Sequence, residues 1–327
     1  MSQKHQAVTL IEWANIALAK HSRKIFKYEA RVVEDKDPED LHQMRVGIRR
    51  LRSALIGFSV ALDLPLVAIE KDIAKIGRSL GKLRDLDVLL AKLKDEYRPL
   101  LPLNEQNILD SSIKSLQRKR RRELKQVRKT LNSKLYFHFE QQLKSWLARS
   151  TCKPIGRLLI FPLLPELLLP QISQFLLHPG WLVGTKIQNG IIQYPQMLNK
   201  EALGQIVSKE DYLLHELRKS AKKTRYNLEL FAPLYGQTYH DYLGKIEQIQ
   251  EVLGEIQDIH VLKKKLENTL GRSPIASQLP RLAELLLIER YQKWLEWEVL
   301  QREFLQDQTR IELRQAVQQP LKNNAAL

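Results

Sequence analysis

Apolar residues recur every three or four positions along most of the chain, which is the spacing that an amphipathic α-helix requires. The pattern is clearest from Leu41 to Phe58, where apolar residues fill one arc of a helical projection and cations fill the neighbouring arc. Asp37 and Pro38 precede this stretch. Such a pair is typical of a helix start, because aspartate caps backbone N–H groups and proline fits the first turn. A helix is therefore predicted from this start to a point shortly before Pro65.

Helical periodicity continues on both sides of this stretch, and proline-rich chain interrupts it near the middle. Helices are predicted at 8–33, 66–96 and 104–149, then around His215, at 238–270 and at 278–316. We expect one domain over residues 5–316, composed of a first helical bundle at 5–150, a proline-rich connector at 151–184 and a second bundle at 185–316. Residues 317–327 are predicted to form a tail.

The pattern of Leu41 to Phe58 occurs twice. A shift of 173 positions makes Leu41, His42, Arg45, Arg52, Leu55 and Phe58 recur as Leu214, His215, Arg218, Arg225, Leu228 and Phe231. Arg49 and Arg50 recur as Lys222 and Lys223, and the register continues without a gap to Leu89 and Leu262. It includes Gly81 and Gly254, where close approach of two helices is expected. A repeat of this length indicates that one structural unit occurs twice, so an internal duplication is predicted. Since both copies have helical periodicity, an all-α fold is predicted as well.

Each copy carries one histidine and three cations on a single polar arc. These residues are His42, Arg45, Arg49 and Arg52 in the first copy and His215, Arg218, Lys222 and Arg225 in the second. No acid stands among these eight positions, whereas an ordinary solvated face would mix the two signs. The recurrence favours a binding face to which both copies contribute about equally, and Arg50 and Lys223 extend it by one cation each.

The doubled motif resembles a known family. A helix of the form H-x-x-R-x-x-x-[RK]-[RK]-x-R, repeated once and followed by L-G-x-[LI]-x-D, is similar to the CHAD family, the conserved histidine α-helical domain. The resemblance covers roughly residues 5 to 315. It implies two pseudo-symmetric antiparallel four-helix bundles, with a basic channel or cleft between them that binds inorganic polyphosphate. Association with polyphosphate granules is a further expectation of the resemblance.

Net charge agrees with an anionic partner. The formal charge is +16, and residues 1–150 hold 31 Lys+Arg against 18 Asp+Glu, while residues 151–327 hold 22 against 19. No run of about 18 apolar residues occurs, so no membrane span is expected. With Cys152 as the single cysteine, an intramolecular disulfide or a multi-thiolate metal site is not expected. These features, together with an N-terminus that lacks a signal-peptide pattern, favour a cytoplasmic protein.

Further cations flank the two arcs. A second set of candidate phosphate ligands comprises Lys20, Lys27, Arg31, Arg121, Lys125 and Arg128. The third predicted helix carries a row of its own, formed by Lys71, Lys75, Arg78 and Lys82, whose counterparts in the second copy are Gly244, Gln248, Glu251 and Glu255. This row is therefore not part of the shared pattern. His42 and His215 are expected to donate hydrogen bonds to phosphate, with a helix-packing role as the alternative.

The sequence also bears on functions other than polyphosphate binding. A surface for nucleic acid should interleave aromatic rings with cations, and neither arc does so. His215, His240, Asp241 and Asp258 have the order of a metal-dependent phosphohydrolase site, but His240 and Asp241 have no counterparts in the first copy. Catalysis, a metal and a cofactor are not expected. A helical scaffold for an acidic protein stays open, and ligand length and oligomeric state are not specified.

Overall fold

The computed structural model describes residues 8–64, 66–194 and 200–321, and these are helical almost throughout. The helices are α1 (Leu10–Glu34), α2 (Pro38–Gly57), α3 (Leu66–Ala91), α4 (Leu103–Leu131), α5 (Lys134–Arg149), α6 (Leu164–Leu176), α7 (Lys200–Lys209), α8 (Asp211–Phe231), α9 (Gln237–Thr269), α10 (Ile275–Gln278), α11 (Pro280–Phe304) and α12 (Asp307–Gln318). The predicted all-α fold is confirmed. Predicted residues 5–7 of the domain and 322–327 of the tail lie outside the described residues.

Two strands were not predicted. The strands β1 (Lys186–Gln188) and β2 (Ile191–Gln193) form a short antiparallel hairpin, with Ile187 opposite Ile192. Asn189 and Gly190 join the strands, both with φ above 50°, as a tight two-residue hairpin turn requires. The hairpin is exposed along most of its length and is a small addition to the helical fold.

Two long helices predicted from periodicity are each divided in the structure. The prediction of one helix at 104–149 is wrong, because α4 ends at Leu131 and the Ser133 side chain caps α5 by accepting from the Tyr136 N–H at 3.3 Å. The prediction of one helix at 278–316 is also wrong, since α11 and α12 meet at residues 305–306. By contrast, the predicted start of α2 is confirmed, with Asp37 accepting from the Glu39 N–H at 2.8 Å.

The described residues divide into two compact units. Unit 1 contains residues 8–100 and 109–163, and unit 2 contains residues 101–108 and 164–321. The predicted connector at 151–184 is thus shared between them, because residues 151–163 belong to unit 1 and residues 164–184 to unit 2. Among the described residues, no helix combines the length and the apolar character that crossing a bilayer requires.

Unit 1 is a bundle in which α2 has a central place. Helix α2 packs on α1 and on α3, and α5 closes the arrangement by contacting both α1 and α3. Leu18, Ile25, Met44, Leu51 and Ile73 meet in the core with no exposed surface. Each such side chain stabilises the fold by about 1.5–3 kcal/mol through burial of apolar surface, so the apolar arc of α2 determines which of its faces is left for solvent.

Unit 2 has the same order of packing among its own helices. Helix α8 packs on α6 and α9, and α12 contacts both α9 and α6, while α11 packs on α9. Four of its large buried side chains, Phe175, Trp181, Trp297 and Phe304, form an aromatic cluster in which the Trp181 and Phe304 rings stack at 5.4 Å. Each unit therefore contains four helices in contact around a closed ring. The duplication itself stays a prediction from the sequence.

Close packing of α1 on α2 depends on Gly47. A Cβ atom at this position would lie 2.9 Å from Ile25 Cγ1 and 3.3 Å from the Ile25 backbone nitrogen. The distance to Ile25 Cγ1 is shorter than non-bonded carbon atoms adopt in proteins. The Ile25 nitrogen belongs to the backbone, so a change of side-chain rotamer cannot move it away. Even the smallest side chain would therefore push the two helices apart.

We expect Gly47→Ala to lower the free energy of unfolding by about 1–3 kcal/mol, because overpacking forces α1 and α2 apart. The matched control is Gly244→Ala in α9, where a Cβ meets no atom within 4 Å. There the change should stabilise by up to about 1 kcal/mol, the ordinary preference of a helix for alanine. Urea denaturation followed by circular dichroism compares the two variants. Equal stability of both would contradict the packing role of Gly47.

Candidate functional site

Helix α2 presents its histidine and cations on the side away from the core. Leu41, Met44, Ile48 and Leu51 are buried, so the arc with His42, Arg45 and Arg49 is left at the surface of unit 1, where these three side chains are half-buried. Arg52, one turn further, is exposed. The structure therefore brings the four predicted residues of the first copy onto one helix face.

Two ion pairs join this face to α3. Arg45 Nη1 lies 2.8 Å from Asp85 Oδ1, and Arg52 Nη2 lies 3.0 Å from Glu70 Oε1. Both pairs are open to solvent, and exposed pairs of this kind contribute about 0–1 kcal/mol. Pairs as weak as these hold the guanidinium groups in position and still leave them available to an anion that binds more strongly.

The recurring glycine has a different role from the one predicted. A Cβ on Gly81 would lie 3.6 Å from Arg45 Cζ, and a Cβ on Gly254 would lie 3.2 Å from Arg218 Nε. In both units the glycine makes room for a guanidinium group that crosses the neighbouring helix to reach its aspartate. The expected close approach of two helix backbones is therefore replaced by an arginine side chain lying across the glycine.

Cations of α1 and α2 meet around His21. Burial, together with the positive charges of Arg50, Lys20 and Lys24, lowers the pKa of His21 to about 4, and burial is the largest of these causes. Burial also lowers the pKa of Lys24, and Arg50 and Lys20 act in the same direction while Glu39 opposes them. Cations thus face one another across the two helices, with one acid close enough to offset them in part.

His42 extends this cluster towards α3. Burial lowers the pKa of His42, as do the charges of Arg84, Arg49 and Lys24, against the opposing effect of Glu39. The unit 1 basic face is defined here as Lys20, His21, Lys24, His42, Arg49, Arg50 and Arg84. Burial is the largest cause of each lowered pKa, and the neighbouring cations add to it because a positive potential disfavours an added proton.

Three members of this face were not among the predicted ligands. His21 falls on the apolar side of α1 in a helical projection and is buried, so the basic side of that helix gave no signal for it. Arg84 lies outside the repeated positions, since its counterpart in the second copy is Gln257. Lys24 shares the basic side of α1 with Lys20, so the i, i+4 spacing was the signal that could have included it.

The second set of predicted ligands is placed less uniformly. Lys27 and Arg31 are exposed further along α1, within 6 Å of the Tyr28 ring centroid, and Arg31 approaches Asp40 at 3.7 Å. Arg128 donates from Nε to the Val33 carbonyl at 2.9 Å, which satisfies the end of α1. Arg121 and Lys125 are exposed on α4. Within the described residues no contact joins these two to the basic face.

In unit 2 the second copy keeps the geometry of the first only in part. Arg218 Nη1 lies 3.7 Å from Asp258 Oδ1 and repeats the arginine–aspartate pair of α2 and α3. Arg225 differs, because its side chain is only 12% exposed and lies 2.8 Å from Glu229 and 2.9 Å from Glu247. His215 and Lys222 are half-buried, and Lys223 is exposed.

The helices beside α8 also differ in charge from those beside α2. Helix α6, which packs on α8 as α1 packs on α2, contains no lysine or arginine. On α9, Glu255 replaces a lysine of α3 and forms an ion pair with Lys293 at 2.8 Å. The arc of the second copy is therefore not flanked by basic helices, and we no longer expect equal contributions from the two copies.

The residues of the alternative hydrolase site do not converge in unit 2. His240 and Asp241 are exposed in the first turns of α9, and Asp241 accepts from Gln237 at 2.7 Å. Asp258 faces Arg218 instead. Across residues 8–64, 66–194 and 200–321, no group of three or more His, Cys, Asp or Glu side chains is placed to hold a metal ion.

The sequence of the chain matches a known protein family over most of its length. The sequence profile of the CHAD domain matches residues 16–267. The chain belongs to the CHAD family. A CHAD domain from the plant Ricinus communis, known from a crystal structure, is 25% identical with a TM-score of 0.60, and the match covers 98% of each chain. No curated protein matches.

A second solved structure shares the fold of this CHAD chain at lower identity. PptA from Streptomyces chartreusis is 14% identical with a TM-score of 0.60, and the match covers 95% of this chain and 100% of PptA. At this identity the likeness shows the fold alone. Both matches extend over nearly the whole of the CHAD chain, including both of its compact units.

We expect Arg225→Met in this CHAD chain to lower the free energy of unfolding by about 1–3 kcal/mol, because it leaves Glu229 and Glu247 without their common cation. Lys223→Met, two residues earlier on the exposed side of α8, serves as the control and should change stability by no more than about 0.5 kcal/mol. Chemical denaturation measures both. If the two variants were equally stable, the Arg225 network would have no structural role.

Proposed function

We propose that this CHAD chain binds inorganic polyphosphate without hydrolysing it, and that the unit 1 basic face is the principal binding surface. The observation that supports this most is the mutual effect of its members, since Arg50, Lys20 and Lys24 each lower the pKa of His21 and neighbouring cations lower that of His42. Burial is the larger cause of both shifts, but the part that comes from cations standing close together is relieved when a polyanion binds.

The residue types suit phosphate oxygens. Guanidinium groups such as those of Arg49, Arg50 and Arg84 bind two oxygens with paired N–H groups, whereas the ammonium groups of Lys20 and Lys24 act as point charges. His42 would gain a proton once a bound polyanion reverses the sign of the local potential, and would then donate to phosphate. Membership of the CHAD family supports polyphosphate as the ligand, through the resemblance described above.

The second copy has a smaller part in this proposal. Arg225 is engaged with Glu229 and Glu247, and Lys219 beside it is engaged with Glu216 at 2.8 Å. Lys223 is exposed but has no basic helix on its α6 side. Helix α8 is therefore expected to bind a polyanion more weakly than the unit 1 basic face does.

The comparison between polyphosphate and RNA tests this proposal most directly. We expect polyphosphate to bind more tightly than single-stranded RNA of equal charge at each salt concentration, because the basic face offers phosphate contacts without a stacking platform. Arg50→Gln should weaken polyphosphate binding by at least about tenfold, the loss of one well-formed charge-assisted contact. Lys223→Gln, its counterpart at the same place in the second copy, should have an effect below about threefold, the loss of an exposed point-charge contact.

Titration calorimetry at several salt concentrations measures these affinities, and circular dichroism verifies that each variant is folded. Tight binding of RNA together with weak binding of polyphosphate would overturn the choice of ligand. An effect of Lys223→Gln as large as that of Arg50→Gln would instead overturn the assignment to the unit 1 basic face.

The non-enzymatic part of the proposal rests on where the titratable groups of unit 2 lie. We expect incubation with polyphosphate and Mg²⁺ or Mn²⁺ to release no orthophosphate, because His240 and Asp241 lie exposed at the start of α9, apart from the pair of Asp258 with Arg218. A colorimetric phosphate assay over hours is the measurement. Release that disappears in His240→Ala or Asp241→Ala would show that a hydrolytic site exists.

A further inference from the structure

Helix α3 carries a row of cations that the repeated motif does not explain. The row is formed by Lys71, Lys75, Arg78 and Lys82, all exposed, and is called the α3 row below. Their spacing of i, i+4, i+7 and i+11 sets them on one stripe, with successive rises of about 6, 4.5 and 6 Å along the axis. The stripe is thus about 16 Å long and carries four positive charges.

The position of the row relative to α2 follows from three neighbouring residues. Glu70 pairs with Arg52, and Cβ atoms on Gly77 and Gly81 would lie 3.3 Å from Ile48 Cγ2 and 3.6 Å from Arg45 Cζ. These residues mark the side of α3 that faces α2. Three row members directly follow them in the sequence, and each following residue is turned by about 100° around the helix. The row therefore lies beside the α2 contact, on the solvent side.

The carboxylates of α3 form their ion pairs with cations outside the row, although Asp85 lies one turn beyond Lys82 on the same stripe. Glu70, Asp85 and Asp87 form ion pairs with Arg52, Arg45 and Arg120 respectively. The remaining acid of the helix, Asp72, is half-buried. Within the described residues no ion pair involves any member of the row, so its four charges stay available to a ligand.

The residues at the same positions in the second copy indicate that the row is a property of unit 1 alone. Gly244, Gln248, Glu251 and Glu255 replace its four cations. Helix packing does not require cations there, since α9 packs on α8 without them. Side chains that the scaffold does not need, and that repel one another, are expected to serve a ligand.

We propose that the α3 row binds a further segment of the same polyphosphate chain that occupies the unit 1 basic face. The inference rests on the function proposed above. A regular row of point charges matches a ligand that repeats its own charge, and α3 has no aromatic side chain on which a base could stack. Once one segment is bound, a second segment on the same chain binds at a high effective concentration, so long chains benefit and short ones do not.

The test combines a row variant with a control of equal charge. The row variant carries Lys71→Gln, Lys75→Gln, Arg78→Gln and Lys82→Gln. The control carries Lys94→Gln, Lys129→Gln, Lys134→Gln and Arg149→Gln, which removes four exposed cations that are scattered over unit 1. Affinities for long-chain polyphosphate and for tripolyphosphate are measured for both variants and the unaltered chain at several salt concentrations, with circular dichroism as the check on folding.

We expect the row variant to lose more than tenfold in affinity for long chains. The slope of log affinity against log salt should flatten by about 2.8, four contacts at about 0.7 each by analogy with single-stranded nucleic acids. The affinity of the row variant for tripolyphosphate should stay within about twofold of that of the unaltered chain, because a short ligand on the basic face does not extend to the row. The control variant should lose less than about threefold with either ligand, the screened effect of scattered surface charge.

Other results overturn the inference. An equal loss in the row variant and the control would mean that bulk charge alone attracts the ligand. Unchanged affinity and salt slope in the row variant would mean that the row binds nothing, and the proposed function would stand if the unaltered chain still bound polyphosphate. Failure of the unaltered chain to bind either ligand would instead overturn the proposed function.

Discussion

Repulsion among cations on adjacent helices is the constraint that the packing of unit 1 must overcome. Lys20, Lys24 and Arg50 lie close enough to lower the pKa of His21, and this repulsion opposes the packing of α1 on α2. The apolar arc of α2 offsets it, since each fully buried side chain stabilises by about 1.5–3 kcal/mol. Gly47 contributes by letting α1 approach, and the ion pairs of Arg45 and Arg52 span α2 and α3.

The second unit uses the same order of helix packing with fewer cations on the helices beside α8. Its α6 carries no lysine or arginine, its α9 has Glu251 and Glu255 where α3 has Arg78 and Lys82, and Arg225 lies between two carboxylates. Surface residues therefore differ while the arrangement of helices is kept. A fold of this kind does not specify a binding site, which depends on the side chains that each copy places on its surface.

Helix prediction succeeded where periodicity and local caps act together. Asp37 starts α2 in the structure as its sequence signal indicated. The break between α4 and α5 also had a local signal, because Ser133 is a typical cap residue. The break between α11 and α12 had none, since Gln306 makes no side-chain cap, and an apolar pattern that continues through such a break does not show it.

By itself, the sequence determined that the chain is helical, that a histidine–arginine arc occurs twice, and that the first half carries most of the net charge. Only the tertiary structure decided which charges stand together. It placed His21 and Arg84 beside His42 and Arg50, engaged Arg225 with two glutamates and directed Arg128 to a backbone carbonyl. The physical reason is that helical periodicity specifies the face of a side chain, whereas the potential around it depends on charges that other helices bring within a few ångströms.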